Sequence, residues 1–217
     1  MTEEDIDLLI VKLREACLSF TEPVVTQIAK DNDPFKVLVS TLLSLRTKDG
    51  TTKKASLNLF KQADTPKKLS LLSEEEIEKL IYPVGFYKTK AKNLKKISKI
   101  LIDKYSSRVP DKLEELLALP NVGRKTANLV LSKGYNKAAI CVDIHVHRIS
   151  NRLGLVKTKN PKETEFELMR ILPKKYWIEY NDLLVPFGQN ICRPISPFCS
   201  KCPISGFCDR VGVEHFR

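Results

Sequence analysis

The sequence has no apolar run that approaches the roughly 20 residues needed to cross a bilayer as a helix. It also begins with the acidic stretch M-T-E-E-D, which is unlike a secretory or organellar targeting segment. We therefore expect no membrane association and a protein that stays where it is made. That compartment is reducing, so the six cysteines are expected to be thiols or metal ligands rather than disulfides.

Strand-like alternation is scarce, and there is no internal repeat and no low-complexity segment. Helix signals are frequent instead. Asp33-Pro34 has the cap and first-turn proline of a helix start, and Ser73 with Glu76 forms a capping box. Over residues 88–104, apolar residues recur at helical spacing, and the lysines between them are interpreted as a solvated face with a general attraction to phosphate. These signals predict an all-α fold.

Acidic residues are in the minority, because 26 aspartates and glutamates stand against 37 lysines and arginines, a formal net charge of +11. An excess of this size favours polyanionic partners, chiefly nucleic acid. A lysine-rich surface without a specific partner would have the same composition. Charge alone leaves both interpretations open.

Four of the cysteines are concentrated near the C-terminus. They are Cys192, Cys199, Cys202 and Cys208. Four thiolates so close in sequence can enclose one metal centre, and their softness limits that centre to zinc or an iron–sulfur cluster. Spacing alone does not separate these two.

A tight turn between two short predicted helices, 111–118 and 124–133, is the second signal. It lies in the segment 119–127, L-P-N-V-G-R-K-T-A. Such a turn exposes backbone N–H groups beside a helix N-terminus, where a DNA phosphate binds favourably. An ordinary connection between two helices has the same local pattern.

The two segments together resemble the endonuclease III family of DNA-repair enzymes over roughly residues 30–208. The cysteine spacing is similar to the family's four-cysteine loop, so the resemblance favours a [4Fe–4S] cluster over zinc. The turn is similar to the family's helix-hairpin-helix, L-P-G-V-G-R-K-T-A, with Asn121 at the first glycine position. If that position is left-handed, asparagine is the best replacement for glycine.

The resemblance implies two helical lobes that flank a DNA-binding groove. Residues 28–136 would form a six-helix barrel containing the helix-hairpin-helix. Residues 1–27 and 137–217 would together form the iron–sulfur cluster domain. Lys125 and Asp143 would lie at the floor of the groove.

Two residues match the family's catalytic positions. Lys125 matches the lysine that attacks the sugar C1′ and forms a Schiff base, which requires a neutral amine. Asp143 lies in the segment 142–148, V-D-I-H-V-H-R, which is similar to the family pattern V-D-x-H-V-x-R. Its carboxylate can deprotonate the lysine and offset positive charge at C1′. A phosphate-binding lysine and a helix-capping aspartate are the alternatives that these residues allow on their own.

Two further segments resemble family loops that fill the space left when a nucleotide is rotated out of the duplex. Arg46 lies in a segment similar to L-L-S-x-Q-x-x-D, and Phe86 in one similar to G-[LF]-Y-x-x-K-A. A phosphate contact for Arg46 and a core position for Phe86 are equally open. The remaining expected DNA contacts are Asn121, Val122, Gly123, Arg124, His145 and Arg193.

The expected function is base-excision repair by a bifunctional DNA glycosylase. It would remove oxidised or damaged pyrimidines from double-stranded DNA and cleave the abasic site by β-elimination through a lysine Schiff base. We expect a monomer in the cytoplasm, associated with the nucleoid. The absence of an N-terminal extension favours a prokaryotic source.

Several alternatives remain. A monofunctional mismatch glycosylase would not need Lys125, and a non-catalytic DNA-binding module with a structural metal would need neither Lys125 nor Asp143. A redox sensor would depend on the oxidation state of its cluster. An adenine-mismatch glycosylase would carry a further C-terminal domain, whereas this sequence ends nine residues after Cys208.

Overall fold

The computed structural model describes residues 2–217, and every regular element in that range is helical. The predicted all-α fold is thus confirmed. In chain order the α-helices are α1 (Glu3–Cys17), α2 (Val24–Ala29), α3 (Pro34–Ser44), α4 (Asp49–Gln62), α5 (Pro66–Leu71), α6 (Glu74–Ile81), α7 (Tyr87–Tyr105), α8 (Leu113–Leu117), α9 (Arg124–Leu129), α10 (Ile144–Arg152), α11 (Pro161–Ile171) and α12 (Trp177–Asn190). A π-helical segment, Val130–Gly134, continues α9, and short 3₁₀ turns lie at Lys174–Tyr176, Cys199–Lys201 and Ser205–Phe207. No helix within residues 2–217 is both long and apolar enough to span a membrane.

Side-chain caps set the predicted helix starts. The Asp33 carboxylate accepts hydrogen bonds from the backbone N–H groups of Phe35 and Lys36, at 2.8 and 3.2 Å. The Ser73 hydroxyl accepts from the Glu76 N–H at 3.1 Å, and the Glu76 carboxylate accepts from the Ser73 N–H at 2.7 Å. These bonds satisfy donors that a helix N-terminus otherwise leaves without partners.

The chain divides into two compact units. The first, Val24–Lys137, is called here the hairpin unit. Its central element is α3, which packs against α2, α4, α7, α9 and the π-helical segment. Consistent with its apolar sequence, α3 is almost completely buried. Its most enclosed side chains include Val37, Leu38, Val39, Leu42 and Leu43.

The second unit joins the chain before Val24 to Ala138–Arg217, and is called here the cysteine unit. In it, α12 packs against α1 and α10. The buried Tyr180 of α12 brings its hydroxyl to 3.0 Å from the Ser150 hydroxyl of α10. This packing fixes α10, which begins immediately after Asp143.

Two features differ from the sequence prediction. The helix predicted for 124–133 is α-helical only to Leu129 and then becomes π-helical, where Gly134 lies so close to Pro34 that a Cβ would fall 2.9 Å from the Pro34 Cα. The prediction that the lysines of 88–104 face solvent is wrong for Lys90, which is only 5% exposed.

Candidate active site and metal centre

The turn between α8 and α9 presents open backbone. Asn121 has φ +61°, so the left-handed conformation that favours asparagine in place of glycine is present. Val122 is buried, and its N–H donates to the Leu119 carbonyl at 3.2 Å. Gly123 is extended, and a Cβ built on it would meet no atom within 4 Å. The backbone at Gly123 is therefore accessible to a close ligand.

Lys125 is the second residue of α9 and is half-buried, as is Arg124. The residues that follow it, Thr126 and Ala127, are buried. The Ala127 N–H donates to the Gly123 carbonyl at 2.9 Å, which closes the first turn of the helix. Lys125 thus lies on a firmly packed helix, close to its N-terminus.

Asp143 is the N-cap of α10. Its Oδ1 accepts hydrogen bonds from the backbone N–H groups of His145 and Val146, each at 2.9 Å. The capping role is therefore present. Both bonds end on Oδ1, so the cap does not use Oδ2, and a catalytic role for the same carboxylate is compatible with it.

His145 is oriented by Arg148, one turn further along α10. The Arg148 guanidinium (Nη2) lies 3.0 Å from Nδ1 of His145 and donates to the carbonyls of Gly188 and Cys192, at 3.2 and 2.8 Å. Because the guanidinium can only donate, Nδ1 accepts, and a neutral His145 carries its proton on Nε2. Gly188 is required here, since a Cβ would fall 2.4 Å from Nδ1 of His145.

The four clustered cysteines line one small cavity of about 20 Å³. All are free thiols, and Cys192, Cys202 and Cys208 also pack against the core of the cysteine unit. The wall between them is largely apolar, and burial raises the pKa of the Cys202 thiol to about 11. Nowhere in residues 2–217 are three or more His, Cys, Asp or Glu residues grouped so that they could hold a metal ion. The thiols share a cavity without being gathered around one point.

Side chains of α10 bind the backbone of the loop that carries the four cysteines, residues 192–208, called here the cysteine loop. Arg152 donates to the carbonyls of Arg193 and Pro194, at 2.6 and 2.7 Å, and its carbonyl accepts from the Cys208 thiol at 3.3 Å. One turn earlier, Arg148 holds the Cys192 carbonyl. The helix that follows Asp143 therefore ends against the cysteine loop. Arg148 belongs to the V-D-x-H-V-x-R pattern, but its anchoring role is visible only in three dimensions.

The C-terminal residue of the chain also contacts the cysteine loop. The Arg217 N–H donates to the Pro197 carbonyl at 2.8 Å. The guanidinium groups of Arg217 and Arg193 lie 4.4 and 5.0 Å from the centre of the Phe198 ring. Arg193 itself is exposed, so it is accessible to a phosphate.

In the hairpin unit, Arg46 and Phe86 lie side by side. The Arg46 guanidinium is 5.6 Å from the centre of the Phe86 ring. Phe86 is 63% exposed, so the alternative that it is a core aromatic is wrong. Both residues have positive φ, +53° and +57°. The backbones also meet, because a Cβ on Gly85 would fall 2.6 Å from the Arg46 carbonyl oxygen.

Comparison with known proteins gives a consistent set of relatives. Residues 39–174 match the family model of the HhH-GPD superfamily base excision DNA repair proteins. The chain is 51% identical over 180 residues to endonuclease III of Thermotoga maritima, which covers 83% of this chain and 84% of that protein. It is 38% identical over 178 residues to endonuclease III of Bacillus subtilis, covering 82% and 81%.

Two solved structures are similar over nearly the whole chain. One is a trapped endonuclease III–DNA covalent intermediate, with a TM-score of 0.83, 33% identity and 97% of each chain covered. The other is a thermostable thymine-DNA glycosylase, with a TM-score of 0.84, 25% identity and coverage of 95% of this chain and 96% of that one.

Proposed function

Because the chain belongs to the endonuclease III family of the HhH-GPD superfamily, we propose that it excises damaged pyrimidines from double-stranded DNA and cleaves the resulting abasic site through Lys125. The family relationship makes it a DNA-binding glycosylase and abasic-site lyase of base-excision repair. The pyrimidine lesion class, a monomeric state and an association with the nucleoid are parts of the proposal.

The observation that carries the bifunctional activity is Lys125 at the start of α9. Fold alone does not decide it, because the chain is as similar to a thymine-DNA glycosylase as to endonuclease III, with TM-scores of 0.84 and 0.83. A monofunctional mismatch glycosylase needs no amine at this position. Lys125 lies two residues after the open backbone at Gly123, where a DNA phosphate can approach.

The proposed reaction uses the Lys125 amine as the nucleophile. Its nitrogen bonds to C1′ and gives up a proton, while the glycosidic bond breaks and the departing base gains one. Opening of the sugar ring then gives the Schiff base. Loss of a proton from C2′ expels the 3′ phosphate, which completes β-elimination. The Asp143 carboxylate accepts the lysine proton and stabilises positive charge at C1′.

The four cysteines are proposed to hold a [4Fe–4S] cluster. A single zinc ion needs its thiolates about 2.3 Å from one point, whereas a four-iron cluster is a larger body bound at its corners. The family relationship favours the cluster, and the four cysteines that would hold it line one apolar cavity. When bound, the cluster supplies structural cross-linking of the loop that carries Arg193.

Arg46 and Phe86 are proposed to enter the duplex when the damaged nucleotide leaves it. Phe86 can stack on neighbouring bases, an interaction that contributes about 1–3 kcal/mol per base. Arg46 has donors but no acceptor, so it favours an orphaned partner base with acceptors, guanine above all.

Borohydride trapping on a duplex that carries one oxidised pyrimidine tests the proposal. We expect a covalent adduct with the wild-type protein, none with Lys125→Ala, and wild-type trapping with Lys112→Ala, which removes an exposed lysine of the same unit. Excision without an adduct in the wild type would indicate a monofunctional glycosylase. Trapping of Lys125→Ala at the wild-type rate would assign the reaction to another amine.

A further inference from the structure

Lys90, on α7, is buried in a unit that otherwise exposes most of its lysines. Its ammonium donates to the carbonyls of Leu43 and Leu45, at 2.8 and 2.7 Å, and to the hydroxyl of Thr47 at 3.1 Å. An ammonium has three N–H donors and accepts nothing. The three acceptors therefore satisfy Lys90 completely, and all three belong to the end of α3 and the loop that follows it.

The Thr47 hydroxyl that binds Lys90 also binds a second loop. Its hydroxyl also accepts from the Gly85 N–H at 3.1 Å and donates to the Leu45 carbonyl at 3.2 Å. One donor and two acceptor sites are all that a hydroxyl offers, so it is fully used. The two loops that meet here are called the arginine loop, 45–48, and the phenylalanine loop, 84–86.

Each loop carries one proposed duplex-entering residue in a conformation that needs support. Arg46 and Phe86 both have left-handed backbone, at φ +53° and +57°. Residues with a side chain hold this conformation only where the surroundings fix it. Phe86 directly precedes α7, and its carbonyl accepts from the Lys90 N–H at 3.0 Å. Lys90 thus contacts the phenylalanine loop through its backbone and the arginine loop through its side chain.

We propose that Lys90 is a positioning residue which, through Thr47, fixes the arginine and phenylalanine loops so that Arg46 and Phe86 enter the duplex as one body. This inference rests on the duplex-entering role assigned to the two residues above. Burial lowers the pKa of Lys90 to about 8, which leaves the ammonium and its three donors in place at neutral pH. The same burial keeps the amine from serving as a nucleophile.

Thr47 offers a matched pair of variants that leave Lys90 in place. Thr47→Val keeps the shape and removes the hydroxyl, and Thr47→Ser keeps the hydroxyl. We expect single-turnover excision from duplex DNA to fall at least tenfold in Thr47→Val and to stay within about twofold of wild type in Thr47→Ser. Lys90→Met should resemble Thr47→Val, whereas Lys99→Met, an exposed lysine of the same helix, should resemble wild type.

Two readouts separate positioning from general damage to the fold. Schiff-base trapping at an abasic site in single-stranded DNA requires no base pair to be opened, so it should be unchanged in Thr47→Val. A 2-aminopurine base beside the lesion should show less unstacking when Thr47→Val binds than when the wild type binds. Adding Thr47→Val to Phe86→Ala should lower duplex excision little further, because the first change acts through Phe86.

Excision from duplex DNA by Thr47→Val at the wild-type rate would overturn the positioning role. So would a loss of trapping on single-stranded DNA as large as the loss of duplex excision. A third contradicting result would be a double variant in which the effects of Thr47→Val and Phe86→Ala on the excision rate are fully additive. Absence of trapping by the wild type on every substrate would overturn the proposed function instead. The 2-aminopurine signal needs binding only, so it still decides the positioning role in that case. If Lys90→Met does not fold, the Thr47 pair carries the test.

Discussion

At the scale of single residues, the helix cap at Asp143 is compatible with the chemical role proposed for it, because the cap uses only one oxygen of the carboxylate. Oδ1 accepts both backbone hydrogen bonds that begin α10. The cap fixes the direction of the side chain and leaves the second oxygen outside the capping hydrogen bonds. This arrangement would preorganise the carboxylate for the proton transfer proposed above.

Substitutions at Asp143 should separate these roles. Asparagine keeps a capping oxygen, so the free energy of unfolding of Asp143→Asn should be within about 0.5 kcal/mol of that of the wild type. Asp143→Ala should lower the free energy of unfolding by about 1 kcal/mol. Both should lose base excision. Urea unfolding and single-turnover excision measure the two effects. Full excision by Asp143→Asn would show that the carboxylate is a cap and nothing more.

The buried ammonium of Lys90 predicts a pH dependence of stability. Its pKa falls from 10.5 to about 8 on folding, so between these values the unfolded chain binds a proton that the folded chain does not. The free energy of unfolding of the wild type should therefore rise relative to Lys90→Met as pH increases from about 8 to 10.5, by on the order of 3 kcal/mol. Denaturant titrations of both proteins across this range measure the difference. A constant difference would contradict the burial of the charge.

The burial of Lys90 could not be predicted from the sequence. Its position between apolar residues at helical spacing is the same as that of its exposed neighbours. Its acceptors lie 43 to 47 residues away, so nothing local marks it as buried. Asn121 is the opposite case, because its preference for left-handed backbone is intrinsic and the sequence sufficed to anticipate it.

At the scale of elements, the helix-hairpin-helix depends on two glycines that serve different purposes. Gly123 faces open space, and its φ of −94° is accessible to any residue. Gly134, at the end of the π-helical segment, lies against Pro34. The first glycine leaves room for a ligand, and the second leaves room for the protein's own backbone.

Alanine at each position should therefore have opposite effects. Gly123→Ala should fold with unchanged or slightly higher stability and bind DNA more weakly, because its methyl group occupies the surface that a phosphate approaches. Gly134→Ala should melt at a lower temperature, since the new Cβ would fall 2.9 Å from the Pro34 Cα. Thermal melting and a binding titration on undamaged duplex test the pair. Unchanged DNA affinity in Gly123→Ala would argue against phosphate binding at the hairpin.

Helix starts were predictable where a side chain supplies the cap, as at Asp33 and Ser73. The six-residue helices α2 and α5 were missed, although at α5 the Thr65 hydroxyl caps the helix and Pro66 begins it. Helices this short are not stable alone and form because they pack on a neighbour, here α3 and α7. The π-helical segment was also missed, and its Gly134 packs against the distant Pro34.

At the scale of the whole molecule, the cysteine unit packs a loop with little regular structure against a largely helical core. Its thiols line an apolar cavity, and arginines of α10 hold its backbone carbonyls. The sequence predicted the four cysteines as a set. It could not show that the helix after Asp143 also fastens their loop, since that contact joins segments about 40 residues apart.

The purified protein should be brown and contain about four iron and four sulfide ions per chain. Cys199→Ser should lose the colour and melt at a lower temperature, because the loop loses its cross-link. Cys17→Ser removes a thiol outside the loop and should keep the iron. Metal analysis with thermal melting tests this. A colourless protein with one zinc ion would contradict the cluster assignment.

The surroundings of Lys90 also constrain how this sequence can diverge. Two of its three acceptors are backbone carbonyls, which no substitution can remove. A substitution at an acceptor position therefore cannot compensate for loss of the lysine, and only arginine offers comparable donors. We expect descendants of this sequence that keep the length of the arginine loop to retain a basic residue at this position. Lineages that lose the basic residue should show insertions or deletions in the arginine loop. The effect of a substitution at Lys90 would then depend on the length of that loop, which is a form of epistasis.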